Sequence, residues 1–191
     1  MPVYAAASER LRLQPLSVEE HLDDFHEIMS NPQSMFWSTG HCHTDIQESI
    51  TLIRKSQPTP EKPWNNRWAI LLRPDPSAPP PEGNQKPKMI GVVGTPRESE
   101  VAYKLHPDYW GKGYMSEALA MFIKLFWQLE EGNPNARLLA FADPENAASN
   151  KVLEKAGFQK GGVRKNYYER AAFNGTRKSD LQSYYMDRMR N

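Results

Sequence analysis

From Glu9 to Pro15, Leu11 and Leu13 alternate with charged or polar neighbours, which predicts a short strand. Ser17-Val18-Glu19-Glu20 then forms a capping box, in which the serine hydroxyl and the glutamate three residues on satisfy free N–H groups at a helix start. The helix it opens has Leu22, Phe25, Ile28 and Met29 on one face and stops before Asn31-Pro32. Thr44-Asp45-Ile46-Gln47 repeats the signal and starts a second helix running to about Ser56. Strands are expected at Arg67 to Leu72, Met89 to Gly94 and Glu98 to Leu105, the last ended by His106-Pro107. A helix from Met115 to about Leu129 carries Leu119, Phe122, Ile123 and Phe126 on one stripe.

Beyond it lie a strand at Arg137 to Ala142 and a helix at Ala147 to Ala156, closed by Gly157. A final pair of strands, Phe158 to about Ala171 and Thr176 to Asp187, is expected to meet at Asn174-Gly175, a dipeptide suited to a type I′ hairpin turn. The order is β-α-α-β-β-β-α-β-α-β-β, about seven strands and four helices with no internal repeat. Between two of the strands, Arg73 to Lys88 holds six of the sixteen prolines and few large apolar residues. Such a segment buries too little surface to offset its ordering entropy, so a flexible hairpin loop is expected within a single domain spanning 1–191.

Composition narrows the function classes. Apolar residues make up 39% and charged residues 25%, with a net charge of +1. That balance argues against a dedicated nucleic-acid partner. No run approaches the roughly 20 apolar residues of a membrane helix, and no secretory signal pattern is evident at the N-terminus. Cys42 is the only cysteine, so no internal disulfide can form, and a cytoplasmic location is expected. His41 and His43 flank Cys42, but nothing nearby completes a metal coordination set.

Two segments carry chemistry. His106-Pro107-Asp108-Tyr109-Trp110-Gly111-Lys112-Gly113-Tyr114 joins a strand to a helix. Its two glycines let the backbone come close to a ligand, and the helix start beyond them favours an anion such as a pyrophosphate. Asp143-Pro144-Glu145-Asn146-Ala147-Ala148-Ser149-Asn150 leads into Lys151-Val152-Leu153-Glu154-Lys155-Ala156-Gly157-Phe158. Alone, the first segment reads as a tight turn and Asn146 as an ordinary helix cap. A nucleotide enzyme built on Gly111-Lys112-Gly113 lacks the longer glycine signature and a magnesium-binding acid.

Together, in this order and at this spacing, the segments resemble the GCN5-related N-acetyltransferase (GNAT) superfamily. The likeness is strongest from Glu100 to Phe158 and points to the branch that acetylates ribosomal-protein N-termini (RimJ/RimL-like). The resemblance implies an α+β fold with a central, mixed, mostly antiparallel sheet. It also implies acetyl-CoA as co-substrate and an amine acceptor, in a monomer or homodimer. Tyr103 and Leu105 would run along pantetheine, and an N–H at or beside Leu105 would polarise the thioester carbonyl. Gly111, Lys112, Gly113, Tyr114 and Met115 would cradle the pyrophosphate, with Ser116 close by, and Asn146 would bond a pantetheine amide. Glu100 is the expected base for the amine, with Glu98 and His106 as alternates.

One departure stands out. Leu153 occupies the position where many members carry a tyrosine that protonates the leaving thiolate. Ser149 is the expected donor instead, with Tyr167 and Tyr168 as weaker substitutes. The departure also leaves open a second reading, a CoA-binding sensor or scaffold without catalysis. Trp37, Trp64 and Trp68 are expected to pack in the core, although they could line an acceptor pocket.

Overall fold

The computed structural model describes residues 4–74 and 86–188, so most of the expected proline-rich loop lies outside the described residues. Strand β1 (Ala6–Ala7) precedes β2 (Leu11–Pro15), and α1 (Val18–Ser30), α2 (Pro32–Met35) and α3 (Ile46–Lys55) follow. Next come β3 (Arg67–Leu72), β4 (Met89–Arg97), β5 (Glu100–Leu105), α4 (Tyr114–Leu129), β6 (Arg137–Ala142) and α5 (Ala147–Lys155). The chain returns through β7 (Gln159–Tyr168) and β8 (Ser179–Asp187). All eight strands form one sheet in the order β1-β2-β3-β4-β5-β6-β8-β7, antiparallel except where β5 meets β6.

The expected topology is present, with two added elements. Strand β1 is a two-residue pairing on the edge of β2. The single turn of α2 forms because Asn31 caps it, its side chain accepting from the N–H groups of Gln33 and Ser34, with Pro32 preset for a helix start. The second capping box is real but one residue later than expected. Asp45 accepts from Gln47 N–H, and the Glu48 side chain accepts from Asp45 N–H. Strand β5 begins at Glu100, not Glu98, because Ser99 turns the chain at φ 57°.

Both faces of the sheet are covered, which is why its central strands read as near-continuous apolar runs. Trp68, Ile70, Ile90, Val101 and Leu105 pack with Leu119, Phe122 and Phe126 of α4 and Leu153 of α5. Ala69, Leu71, Met89 and Val92 pack on the other face with Phe25 and Ile28 of α1 and Ile53 of α3. Trp68 is therefore a core residue, its ring 5.7 Å from that of Phe122.

The last hairpin departs from expectation. Asn174 and Gly175 do have positive φ (45° and 75°), and Thr176 N–H donates to Phe173 C=O at 2.9 Å. Yet pairing stops at Tyr168 and resumes only at Ser179, so that turn lies within a longer connection. The reason is Arg170, which is drawn inside. Its guanidinium donates to Asp143 Oδ2 at 2.6 Å and to Glu145 Oε2 at 2.7 Å, and its side chain and that of Asp143 are each only 1% exposed. It lies 4.0 Å from the Trp37 ring centre and 4.7 Å from that of Phe173. Tyr168 Oη donates to the same Asp143 oxygen at 2.8 Å, and Ala171 N–H donates to Ser38 C=O.

Arg170→Met would leave a buried carboxylate without its cation. It is expected to destabilise the fold by about 3–5 kcal/mol in chemical denaturation. Breaking the exposed Arg137–Asp187 pair with Asp187→Asn should produce little measurable change. Equal effects from the two variants would contradict the role given to Arg170.

Candidate active site

The chemistry of β5 follows from which neighbour each backbone group faces. His106 N–H donates to Ile90 C=O, and the β4–β5 register pairs Lys104 with Val92 and Ala102 with Gly94. Alternation along an antiparallel pair then makes Ala102 and Lys104 the residues bonded to β4. The N–H and C=O of Tyr103 and Leu105 point the other way, toward β6. Strand β6, however, pairs with β5 only at Glu100–Leu139 and Val101–Ala140, although it continues to Ala142 in register with β8. Past Val101 the two strands part, and the outward backbone edge of Tyr103 and Leu105 lines the opening. Trp110 Nε1 donates to Leu105 C=O at 2.9 Å, so the N–H of Leu105 is the group left to offer.

That edge runs directly into the glycine loop. Pro107–Tyr109 forms one 3₁₀ turn, and Gly111 and Gly113 adopt φ of 73° and 80°, conformations that side chains rarely tolerate. Gly113 caps α4 with no side-chain hydrogen bond. Glu117 N–H donates to Gly113 C=O, so Tyr114, Met115 and Ser116 have N–H groups with no acceptor inside the helix. Met115 contributes backbone only, since its side chain lies in the core. Lys112 Nζ is folded back onto Asp108 C=O at 2.8 Å.

Arg10, which the sequence reading did not single out, braces this loop. It donates to Lys112 C=O at 3.0 Å and to Glu117 Oε2 at 2.6 Å, and it lies 4.6 Å from the Tyr114 ring centre. Glu117 also takes a hydrogen bond from Ser8 at 2.6 Å. This first-turn carboxylate is thereby held by Arg10 and Ser8 while the N–H groups of Tyr114 to Ser116 stay uncapped.

Across the opening, Asn146 caps α5, its Oδ1 accepting from Ser149 N–H at 3.1 Å. Asn150 Nδ2 donates to the C=O groups of Asp143 and Asn146 and ties the preceding loop down. The Ser149 hydroxyl is 2.9 Å from Tyr103 Oη, a contact that joins α5 to β5. Burial pushes the Tyr103 phenol above its ordinary pKa, and its hydrogen bond with Ser149 opposes the shift. Leu153 is fully buried beneath them.

The other expected residues separate by role. Glu100, Ala102 and Lys104 share the α1-side face of β5, opposite to Tyr103 and Leu105. The structure therefore places Glu100 and Ser149 on different faces of the same strand. The Glu100 carboxylate is held by Arg97 through two hydrogen bonds, one of 2.7 Å to Nε and one to Nη2. Glu98 is exposed in the turn. His106 is buried, with Nδ1 3.4 Å from Asp108 N–H, and serves as the cap of the 3₁₀ turn. Tyr168 is committed to Asp143, and Tyr167 is 53% exposed.

Two further cations were not anticipated. A cleft of about 100 Å³ on the α1 side is lined by Phe25, Met29, Arg67, Val92, Pro96, Ala102, Tyr103 and Lys104. Burial pulls the Lys104 ammonium down to about 8, and it lowers Arg67 as well. The signal available in sequence was one basic residue in each of two strands, Arg67 at the start of β3 and Lys104 within β5.

Similarity to known proteins fits this geometry. A family model described as an acetyltransferase (GNAT) domain matches residues 10–159. The N-acetyltransferase p20 of Bacillus licheniformis is 26% identical over 166 residues, covering 84% of this chain and 85% of its own. The N-acetyltransferase YoaA of Bacillus subtilis is also 26% identical, over 64% of each chain. Among solved structures, the ribosomal L7/L12 α-N-protein acetyltransferase RimL in complex with coenzyme A superposes with a TM-score of 0.76 at 17% identity, over 97% of this chain and 98% of that one. A GNAT-family acetyltransferase from Bacillus anthracis gives a TM-score of 0.71 at 20% identity, over 94% and 96%. With a matching family model over most of its length, the parted strands, the uncapped helix and the motifs that join them, the chain belongs to the GNAT acetyltransferase family, whose members take their acetyl group from acetyl-CoA.

Proposed function

We propose that this chain transfers acetyl from acetyl-CoA directly to a primary amine of a small molecule or a peptide N-terminus. The observation that carries the reading is two sets of backbone N–H groups with no acceptor in the fold, one at Tyr103 and Leu105 on the free edge of β5 and one at Tyr114 to Ser116 at the start of α4. The spacing suits pantetheine lying where a strand would pair, with its pyrophosphate at the helix end. Gly111, Lys112, Gly113, Tyr114, Met115 and Ser116 hold the phosphates, chiefly through N–H groups, and Arg10 keeps their loop in shape. Asn146 keeps its amide N–H groups for a pantetheine carbonyl while its oxygen caps α5.

The chain's own residues account for the transfer. Leu105 N–H donates to the thioester oxygen as negative charge develops there, in a slot already shaped for it. Glu100 takes a proton from the amine, directly or through water, and Arg97 orients its carboxylate. As the new C–N bond forms and the C–S bond breaks, Ser149 returns a proton to sulfur, with Tyr103 Oη behind it. A thiol is a fair leaving group, so the absence of a tyrosine at Leu153 does not stop the reaction.

The likenesses to RimL and to the others at 16–20% identity support the fold and leave the acceptor to this chain's own cleft. We further assign a cytoplasmic location and a monomeric or homodimeric state. No described helix is long and apolar enough to cross a membrane.

Saturating coenzyme A is expected to raise the melting temperature by about 5–10 °C at roughly hundred-fold excess over Kd. Gly113→Val places a side chain at positive φ in the cradle. It should weaken coenzyme A binding about ten- to hundred-fold in calorimetry, the cost of losing one or two charged hydrogen bonds. Unchanged affinity would remove the cradle from the account. With an active amine, Glu100→Gln should lower kcat roughly 10²–10⁴-fold with coenzyme A affinity kept, and Ser149→Ala should cost less. Coenzyme A binding without amine-dependent thiol release, across a broad amine panel, would favour a binding module over an enzyme.

A further inference from the structure

The α1-side face of β5 carries positive charge that no carboxylate among the described residues pairs with. Arg67 reaches the cleft from β3, and its Nε is buried with no hydrogen-bond partner. Lys104 reaches it from β5. Its Nζ donates to Ser34 C=O at 3.0 Å and to Ser38 Oγ at 2.7 Å, both neutral, which leaves one of its three N–H donors unspent. Among the described residues no carboxylate acts on either cation, and each lies in a surrounding that disfavours its charge. Glu100, on the same face of β5, is held by Arg97. Two semi-buried cations without an anion are costly to the fold, and a site that keeps them is built to be neutralised by something that binds.

Position and size limit what that is. Ala102 lines the same cleft as the two cations and is exposed. It is two residues from Glu100 and two from Lys104, so roughly 7 Å along the strand from each. The cleft of about 100 Å³ has room for a carboxylate or a phosphate. An anion seated over Ala102 would therefore stand only a few bonds from an amine presented beside Glu100.

We propose that the acceptor is a small acidic amine, a primary amine bearing a carboxylate or phosphate a few bonds away, and that Arg67 and Lys104 bind its anionic group. The inference rests on the acetyltransferase reading and names the acceptor class for that same site. Arg67 and Lys104 act here as specificity determinants.

The test uses matched acceptors with the full chain and acetyl-CoA. L-amino acids are compared with their C-terminal amides, and O-phosphoethanolamine with ethanolamine, so the two arms separate carboxylate from phosphate. The acidic partner in at least one arm should show a kcat/KM about ten-fold or more above its neutral match. That preference should collapse in Arg67→Gln and Lys104→Gln and survive in Arg67→Lys. Equal use of neutral partners, or a preference unchanged in the Gln variants, would overturn the proposal while leaving acetyl transfer standing. If no tested amine is acetylated, inorganic phosphate and succinate are titrated by thermal shift into wild type and the Gln variants. The pyrophosphate cradle is common to all three proteins, so only the Arg67–Lys104 site can produce a difference. A shift larger in wild type supports the proposal, and identical shifts overturn it, whether or not coenzyme A binds.

Discussion

The parting of β5 and β6 is the constraint on which the rest of the molecule depends. Two strands that begin as a parallel pair stop bonding after Val101 and Ala140 while both continue. An unsatisfied backbone edge inside a sheet is costly, and a closed sheet would be the more stable arrangement. It stays open because β6 is committed along its whole length to β8, while β5 is committed to β4. Beyond a 3₁₀ turn whose N–H groups are already bonded, the start of α4 presents a second set of free N–H groups at Tyr114 to Ser116. We propose that strand edge and helix end together bind the coenzyme, almost entirely through backbone.

Around that opening the side chains divide the work by face. On the α4–α5 side, the Tyr103–Ser149 hydroxyl pair crosses the gap. On the α1 side stand Glu100, Arg67 and Lys104. Arg170 holds the margins in place, joining the segment of Trp37 and Ser38, the loop of Asp143 and Glu145, and the connection between β7 and β8. Because Ser38 also receives the Lys104 ammonium, the packing centred on Arg170 and the charge in the α1-side cleft are mechanically linked. A change in either would be felt by the other.

Much of this was legible in sequence, for a physical reason. Strands covered on both faces and helices with capping residues follow local rules, so β6 is found at Arg137–Ala142 and α4 within one residue of its expected start. The glycine loop was legible because positive φ at Gly111 and Gly113 narrows the residue choice. The last hairpin was not, because Asn174-Gly175 signals a local turn whereas a buried ion pair 27 residues apart in sequence decides where pairing stops. Arg10, Arg67 and Lys104 were missed for the same reason. Their meaning comes from partners, or from the lack of them, on other strands and helices. Glu100 was found as a residue, but its tie to Arg97 was not.

The central claim is that pantetheine lies along the free edge of β5. Amide hydrogen exchange, resolved by residue with and without saturating acetyl-CoA, tests it most directly. The N–H groups of Tyr103 and Leu105 should exchange much more slowly in the complex, together with those of Tyr114 to Ser116. Ala102 and Lys104, already bonded to β4, should change little. Acetyl-CoA bound with no added protection at Tyr103 and Leu105 would contradict the account.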